Sequence, residues 1–357
     1  MMTRENIQKS PKRPVFLHGM WRCGSTYIWN QFRENSNAYC YYEPLHQGLG
    51  RLTTARMERD LLKKMDPSHP AMTQSWFTEY TPLLKRFSMR NLKGRGVRKF
   101  TRRLSESQYI LSPDDSDPLL EDYVSGLVNY ALSQNKTPVL GFNRACLRAG
   151  FLKKTFGSFD IYIDRDPRHV WASYQKQRLK TNSTFFVTWL LTAERNAHHP
   201  LFKPMADRLP LRSPLDKIRI KYKPYYRRVL DHMSMEQTYA MVFYLWLACT
   251  LHGLSTSDLI LDMEDCDPDA ITTKIKQATC LDVSFAGLKP PQAIPENIII
   301  DWQTIEDEVL TYFPLSSFSG GFDIQRIEQS MPSLSKRKAD IIGKIIQQAR
   351  VLSTASA

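Results

Sequence analysis

The chain has 357 residues, of which 42% are hydrophobic and 24% charged. At about 150 residues per domain this is two domains or one large one with insertions, and the composition excludes fibrous, collagen-like and globally disordered chains. Forty-nine Lys and Arg against 36 Asp and Glu leave a net charge of +13, which favours a polyanionic partner: nucleic acid, an acidic membrane face, a sulfated or phosphorylated sugar, or a phosphate-rich cofactor.

The first dozen positions are polar and basic, and a flexible lead over 1–13 is expected ahead of one domain spanning 14–357. No apolar core of about 7–15 residues follows that lead, so a secretory signal is not expected. The six cysteines (Cys23, Cys40, Cys146, Cys249, Cys266 and Cys280) are scattered, with no C-x-x-C pair. A reducing, cytoplasmic setting is the simpler expectation.

Val15 to His18 is a short apolar run stopped by Gly19, and a helix-compatible stretch, Ser25 to Arg33, follows at once. Tyr39 to Tyr42 reads as a second strand, ended by Glu43-Pro44. Residues 47–137 lose this rhythm and are broken by Pro67, Pro70, Pro82, Pro113 and Pro118, so a helical cap or insertion is expected there. Within it, Lys85 to Arg103 is basic without an acidic residue. Strand patterns return at Pro138–Phe142, Phe159–Asp164 and Leu259–Leu261, with helices expected at Ala145–Phe156, after Pro167, at Met235–Leu254 and at Asp269–Thr279. The apolar run Tyr239 to Leu251 falls short of the roughly 20 residues of a membrane-spanning helix and reads as a buried one. Alternating strands and helices predict an α/β fold: a three-layer sandwich with a mostly parallel sheet and helices on both faces.

Two segments carry chemistry. Gly19-Met20-Trp21-Arg22-Cys23-Gly24-Ser25-Thr26 sits between strand and helix with the spacing G-x-x-x-x-G-[ST]-[ST]. Backbone amides of such a turn and the positive helix N-terminus form a nest for anionic oxygens, which the Ser25 and Thr26 hydroxyls extend. The phosphate loop of nucleotide triphosphatases has a lysine where Ser25 stands, and Arg22 is the cation this loop offers instead. The second segment is Arg165-Asp166-Pro167-Arg168-His169-Val170-Trp171-Ala172-Ser173, at the carboxyl end of a buried strand. There an arginine fork and a serine hydroxyl face the crevice in which α/β proteins bind ligands.

Together these segments resemble the sulfotransferases that use 3′-phosphoadenosine-5′-phosphosulfate (PAPS), particularly the carbohydrate-type ones. Gly19 to Thr26 is similar to their 5′-phosphosulfate loop, and Arg165 to Ser173 to their R-D-P-R-x-V-x-x-S 3′-phosphate motif. Tyr42-Glu43-Pro44-Leu45-His46 resembles the E-P-L segment after their second strand, and Leu259 to Asp265, preceded by a helix with Trp246, their strand ending in an E-D pair. The resemblance spans roughly residues 14–46 and 138–282. It implies a fold like that of phosphate-loop proteins and transfer of the PAPS sulfuryl group to an acceptor hydroxyl, with the bisphosphate PAP left behind. Arg22, Cys23, Gly24, Ser25 and Thr26 would hold the 5′ end, and Arg165 and Ser173 the 3′-phosphate. Glu43 is the first choice of base for the acceptor proton and His46 the second, with Arg22 stabilising charge.

The acceptor is expected to be a small molecule or oligosaccharide, possibly acidic, with no nucleic acid partner. No metal is expected, since His198-His199 has no carboxylate or cysteine at ligand spacing. His18 reads as a core histidine. Arg144 is placed equally well in the cleft or at the surface, and Trp171 in the core or beside an adenine; a lowered Cys23 thiol pKa is a further possibility in an anion loop. Two other functions compete. One is a nucleotide-dependent kinase or NTPase, with Leu259 to Asp262 as a magnesium-holding strand. The other is a non-enzymatic polyanion binder using Lys85–Arg103 and Arg208–Arg228.

Overall fold

The computed structural model describes residues 12–62, 75–85, 95–181, 185–211, 222–315 and 322–355. The expected lead over 1–13 lies almost wholly outside the described residues, as do 86–94 and 212–221 of the two basic stretches.

Five apolar runs form strands β1 (Val15–Gly19), β2 (Ala38–Tyr42), β3 (Thr137–Phe142), β4 (Phe159–Asp164) and β5 (Leu259–Asp262). All pairings are parallel, in the order β2-β3-β1-β4-β5. A parallel sheet is covered on both faces, which is why these segments read as continuous apolar runs. The helices in chain order are α1 (Ser25–Arg33), α2 (Thr54–Leu62), α3 (Pro118–Ser133), α4 (Ala149–Phe156), α5 (Pro167–Thr181), α6 (Phe185–Arg195), α7 (Tyr222–Asp231), α8 (Met235–Thr256), α9 (Pro268–Thr279), α10 (Trp302–Tyr312), α11 (Ile324–Ser330) and α12 (Lys336–Ala355), with short turns between some of them.

Side-chain alternation sorts the layers. Val15, Leu17, Ile161 and Ile163 face Ile28, Trp29 and Phe32 of α1 and Ile271 and Ile275 of α9. Phe16, Leu140 and Phe142 face the other way, toward α3 and Phe151 and Leu152 of α4. Tyr162 joins the same side, where α8 lies buried through most of its length. The molecule is therefore a three-layer α/β sandwich. Ser234 and Gln237 close the start of α8 with a reciprocal capping box. Among the described residues, no helix is long and apolar enough to cross a membrane.

Residues 47–137, expected as a cap, make the crossover from β2 to β3. Within it, Pro118–Ser133 is α3, which packs against the sheet. Leu120, Tyr123, Val124, Leu127, Val128 and Ala131 recur at helical spacing and are buried, each larger one worth about 1.5–3 kcal/mol relative to exposure. Asp117 caps this helix by accepting from the Leu120 amide, and Pro118 takes the first position, where its missing N–H costs nothing.

The chain leaves β1 toward β2 on one side and β4 toward β5 on the other. The two strands are neighbours, so their carboxyl ends flank the place where strand order reverses, and a crevice opens there.

Candidate functional site

A cleft of about 420 Å³ lies at this reversal, lined by Arg22 and Gly24 from the loop after β1, Ser25 and Thr26 at the start of α1, Arg165 after β4, Tyr42 at the end of β2 with Glu43, His46 and Gln47 after it, and Asn143 and Arg144 after β3. Trp21, Tyr27, Phe77, Phe185 and Thr188 complete its walls.

The loop is tight for steric reasons. A Cβ on Gly19 would stand 2.5 Å from Cys23 Sγ and 3.0 Å from the Ile163 carbonyl oxygen. Gly24 has φ +96°, and a Cβ there would meet Met263 Cε at 2.6 Å. Arg22 adopts φ +68° without being glycine, and Glu43 across the cleft adopts φ +40°. Left-handed conformations at non-glycine residues cost about 1–3 kcal/mol each and concentrate at ligand sites. Gly24 caps α1 without any side-chain hydrogen bond, and the first turn of that helix has no acidic residue. Its amide donors and the positive end of its dipole therefore face the cleft without a built-in counter-charge.

The two sequence motifs meet here. Arg165 Nη1 donates to the Arg22 carbonyl oxygen at 2.8 Å, and Arg22 Nε donates to Ser173 Oγ at 2.9 Å. Among the described residues, Arg165 Nε is buried without a hydrogen-bond partner. Ser173 does not line the cleft; it holds the Arg22 side chain, and a hydroxyl that accepts from arginine keeps its own proton to donate. Cys23 does not line the cleft either. Its side chain is packed in the core, and burial pushes the thiol up to about 12, which corrects the expectation of a lowered value.

Beneath Arg165 stands a layer of charge from the C-terminal part of the chain. Lys338 of α12 is fully buried, its Nζ 2.7 Å from Asp164, 2.6 Å from Asp262 and 2.8 Å from Glu264. Burial raises the Asp164 carboxyl to about 6 despite Lys338, with Asp262 and Glu264 adding to the rise. Burial also opposes ionisation of Glu264, but His169 and Lys338 outweigh it and hold that group near 2. Trp246 Nε1 and Thr250 Oγ1 donate to Asp164 at 2.9 and 3.0 Å. Arg337 pairs with Asp166 and Glu306, and Arg168 turns to Glu306 at 3.0 Å.

On the opposite side, Glu43 accepts from Asn143 Nδ2 at 3.0 Å and from Arg144 Nη1 at 2.9 Å. Burial works against its charge, yet Arg144, His46 and the Asn143 bond prevail and hold the carboxyl below its ordinary value. Arg144 stacks on Trp21, with its guanidinium carbon 4.6 Å from the ring centre, and donates to Gln47 at 2.7 Å. His46 Nδ1 accepts from the Gly48 amide at 3.0 Å, which puts the proton of the neutral ring on Nε2. In that tautomer His46 is a donor, not a base.

Of the residues singled out from sequence, Glu43, His46, Arg22, Gly24, Ser25, Thr26 and Arg165 come together around one cleft. Arg144 belongs to the cleft, and Trp171 to the core, where its Nε1 donates to Thr238. His18 is buried 3.3 Å from Asp160. Asn143 and the supporting Arg337, Lys338 and Glu306 were missed. Asn143 directly follows β3 at the same sheet edge as the other site residues, a signal the edge rule could have used. No protein-family model matches the chain, and no curated protein matches it at a significant level.

Proposed function

We propose that this chain is a PAPS-dependent sulfotransferase acting on an acceptor hydroxyl, by preference that of a carbohydrate. The observation that carries this reading is the joining of two anion-binding motifs at one strand reversal: Arg165 bonded to the Arg22 carbonyl, and Arg22 to Ser173.

The residues present fit the cofactor. The N-terminus of α1 has neither a capping side chain nor an acidic residue, and Arg165 keeps a buried donor without a partner, both suited to phosphate oxygens. When bound, PAPS supplies an activated sulfuryl group on a phosphate leaving group. Arg22, the loop amides and the Ser25 and Thr26 hydroxyls bind the 5′ end and stabilise the charge developing there. Arg165 engages the 3′-phosphate, and Ser173 acts behind it by holding the Arg22 side chain. Glu43, ionised and held by Asn143 and Arg144, receives the acceptor proton, while His46 offers Nε2–H to an acceptor oxygen. Tyr42 and Phe77 give the acceptor side an aromatic wall on which a sugar ring can stack.

The kinase or NTPase alternative needs Asp262 for magnesium. Asp262 is buried instead, accepting from the Ser335 and Glu264 amides and paired with Lys338. Thermal-shift titration separates the readings. Adenosine 3′,5′-bisphosphate should stabilise the protein strongly and ATP with magnesium weakly; the opposite ranking overturns the proposal. Transfer of labelled sulfate from PAPS across oligosaccharides, phenols, lipids and peptides then identifies the acceptor.

A further inference from the structure

The acceptor-side strand and the anion loop touch through one pair of hydroxyls. Tyr42 is the last residue of β2, and its Oη lies 3.1 Å from Thr26 Oγ1 in the first turn of α1. Both residues line the cleft. The phenol is held from several directions: its ring centre is 4.9 Å from that of Trp29 and 4.8 Å from that of Trp76, and its backbone carbonyl accepts from Tyr80 Oη at 3.0 Å. Neither the loop spacing nor the roles assigned above use this contact.

A hydroxyl has one proton to give and two lone pairs with which to accept. An anion in the loop only accepts, so Thr26 must spend its single proton on the anion. Its contact with Tyr42 must then run from the phenol to Thr26 Oγ1. The phenol suits that direction, being the stronger acid of the two and, buried beside the Glu43 carboxylate, firmly protonated. A hydroxyl that accepts while it donates is polarised and donates more strongly.

We propose that Tyr42 is a positioning residue of the anion loop, whose phenol donates to Thr26 Oγ1 and so aims the Thr26 proton at a bound phosphate-type oxygen. The inference rests on the loop binding an anion, as in the function proposed above, but not on sulfuryl transfer. It makes the effect of Tyr42 on the bound anion run entirely through Thr26, which a packing role would not.

The test is a double-mutant cycle read by calorimetric titration with adenosine 3′,5′-bisphosphate, ATP and pyrophosphate. Tyr42→Phe, which keeps the ring, should weaken binding about five- to tenfold, and Thr26→Val on the order of 10- to 50-fold. The double variant should bind no more weakly than Thr26→Val alone, while Thr26→Ser should stay as sensitive to Tyr42→Phe as the unaltered chain. Thermal midpoints report whether each variant is folded. Additive losses, or an affinity for Tyr42→Phe within twofold of the unaltered protein, overturn the inference. Coupling seen with ATP or pyrophosphate but no binding of the bisphosphate sustains the inference and removes the sulfotransferase reading. Failure of all three anions to bind overturns it.

Discussion

Glu43 has two demands on one carboxylate. Arg144 and Asn143 fix its position and keep it ionised, while the proposed proton transfer asks it to be basic. Glu43→Gln should preserve cofactor affinity and lower kcat on the order of 100-fold or more, measured by sulfate transfer under saturating PAPS; full turnover would exclude Glu43 as the base. Arg144→Met gives the complementary result. With its cation gone, burial prevails and the carboxyl rises, so the acidic limb of the kcat profile should move to higher pH. Stability should fall too, by roughly 3 kcal/mol in chemical denaturation, because an unpaired carboxylate is left 9% exposed in the cleft wall. In the unaltered protein the folded value lies below the ordinary one near 4.5. This contribution is therefore present above that pH and is lost as pH falls through the folded value.

At the scale of elements, α12 is tied to the ends of β4 and β5 by Lys338, one ammonium among three carboxylates. Lys338→Met should cost about 3–5 kcal/mol. Its pH signature distinguishes lost charge from lost packing. Asp164 titrates near 6 in the fold against an ordinary 3.8, so its protonation favours the folded state and its contribution declines as pH rises from about 4 to 6. Without Lys338 the Asp164 and Glu264 carboxyls rise further, so the deficit of the variant should be greatest near pH 8 and narrow toward pH 5; a constant deficit would mean packing alone. None of this was legible in the sequence. Strand ends and the Gly19–Thr26 and Arg165–Ser173 segments show in local spacing, because a buried parallel strand and a tight turn each constrain consecutive residues. The link from Lys338 to Asp164 spans a sequence separation that imposes no period. The same holds for Glu43 and Arg144: the sequence places Arg144 equally well in the cleft or at the surface, and only β2 and β3 lying side by side bring it to Glu43.

Across the whole molecule the net charge is +13, and the sheet order brings two of the cations to one strand reversal. Arg22 and Arg165 stand at the β1–β4 reversal, and the Lys338 cage below them is overall acidic, so on the proposed function attraction for the anionic cofactor is expected from the cleft face and the exposed basic residues, not from the layer beneath. Long-range attraction of this kind acts on encounter and is screened over about 8–10 Å at physiological salt, whereas contacts made inside the cleft are screened far less. Association of adenosine 3′,5′-bisphosphate should therefore slow about tenfold between low and physiological salt, with dissociation changing little, as stopped-flow fluorescence of the cleft tryptophan Trp21 can follow. Replacing Lys203 and Arg208, exposed residues outside the cleft lining, with Gln should flatten that salt dependence without altering dissociation. A dissociation rate that climbs steeply with salt would instead assign the electrostatic attraction to short-range contacts, and the basic surface would have no part in capturing the ligand.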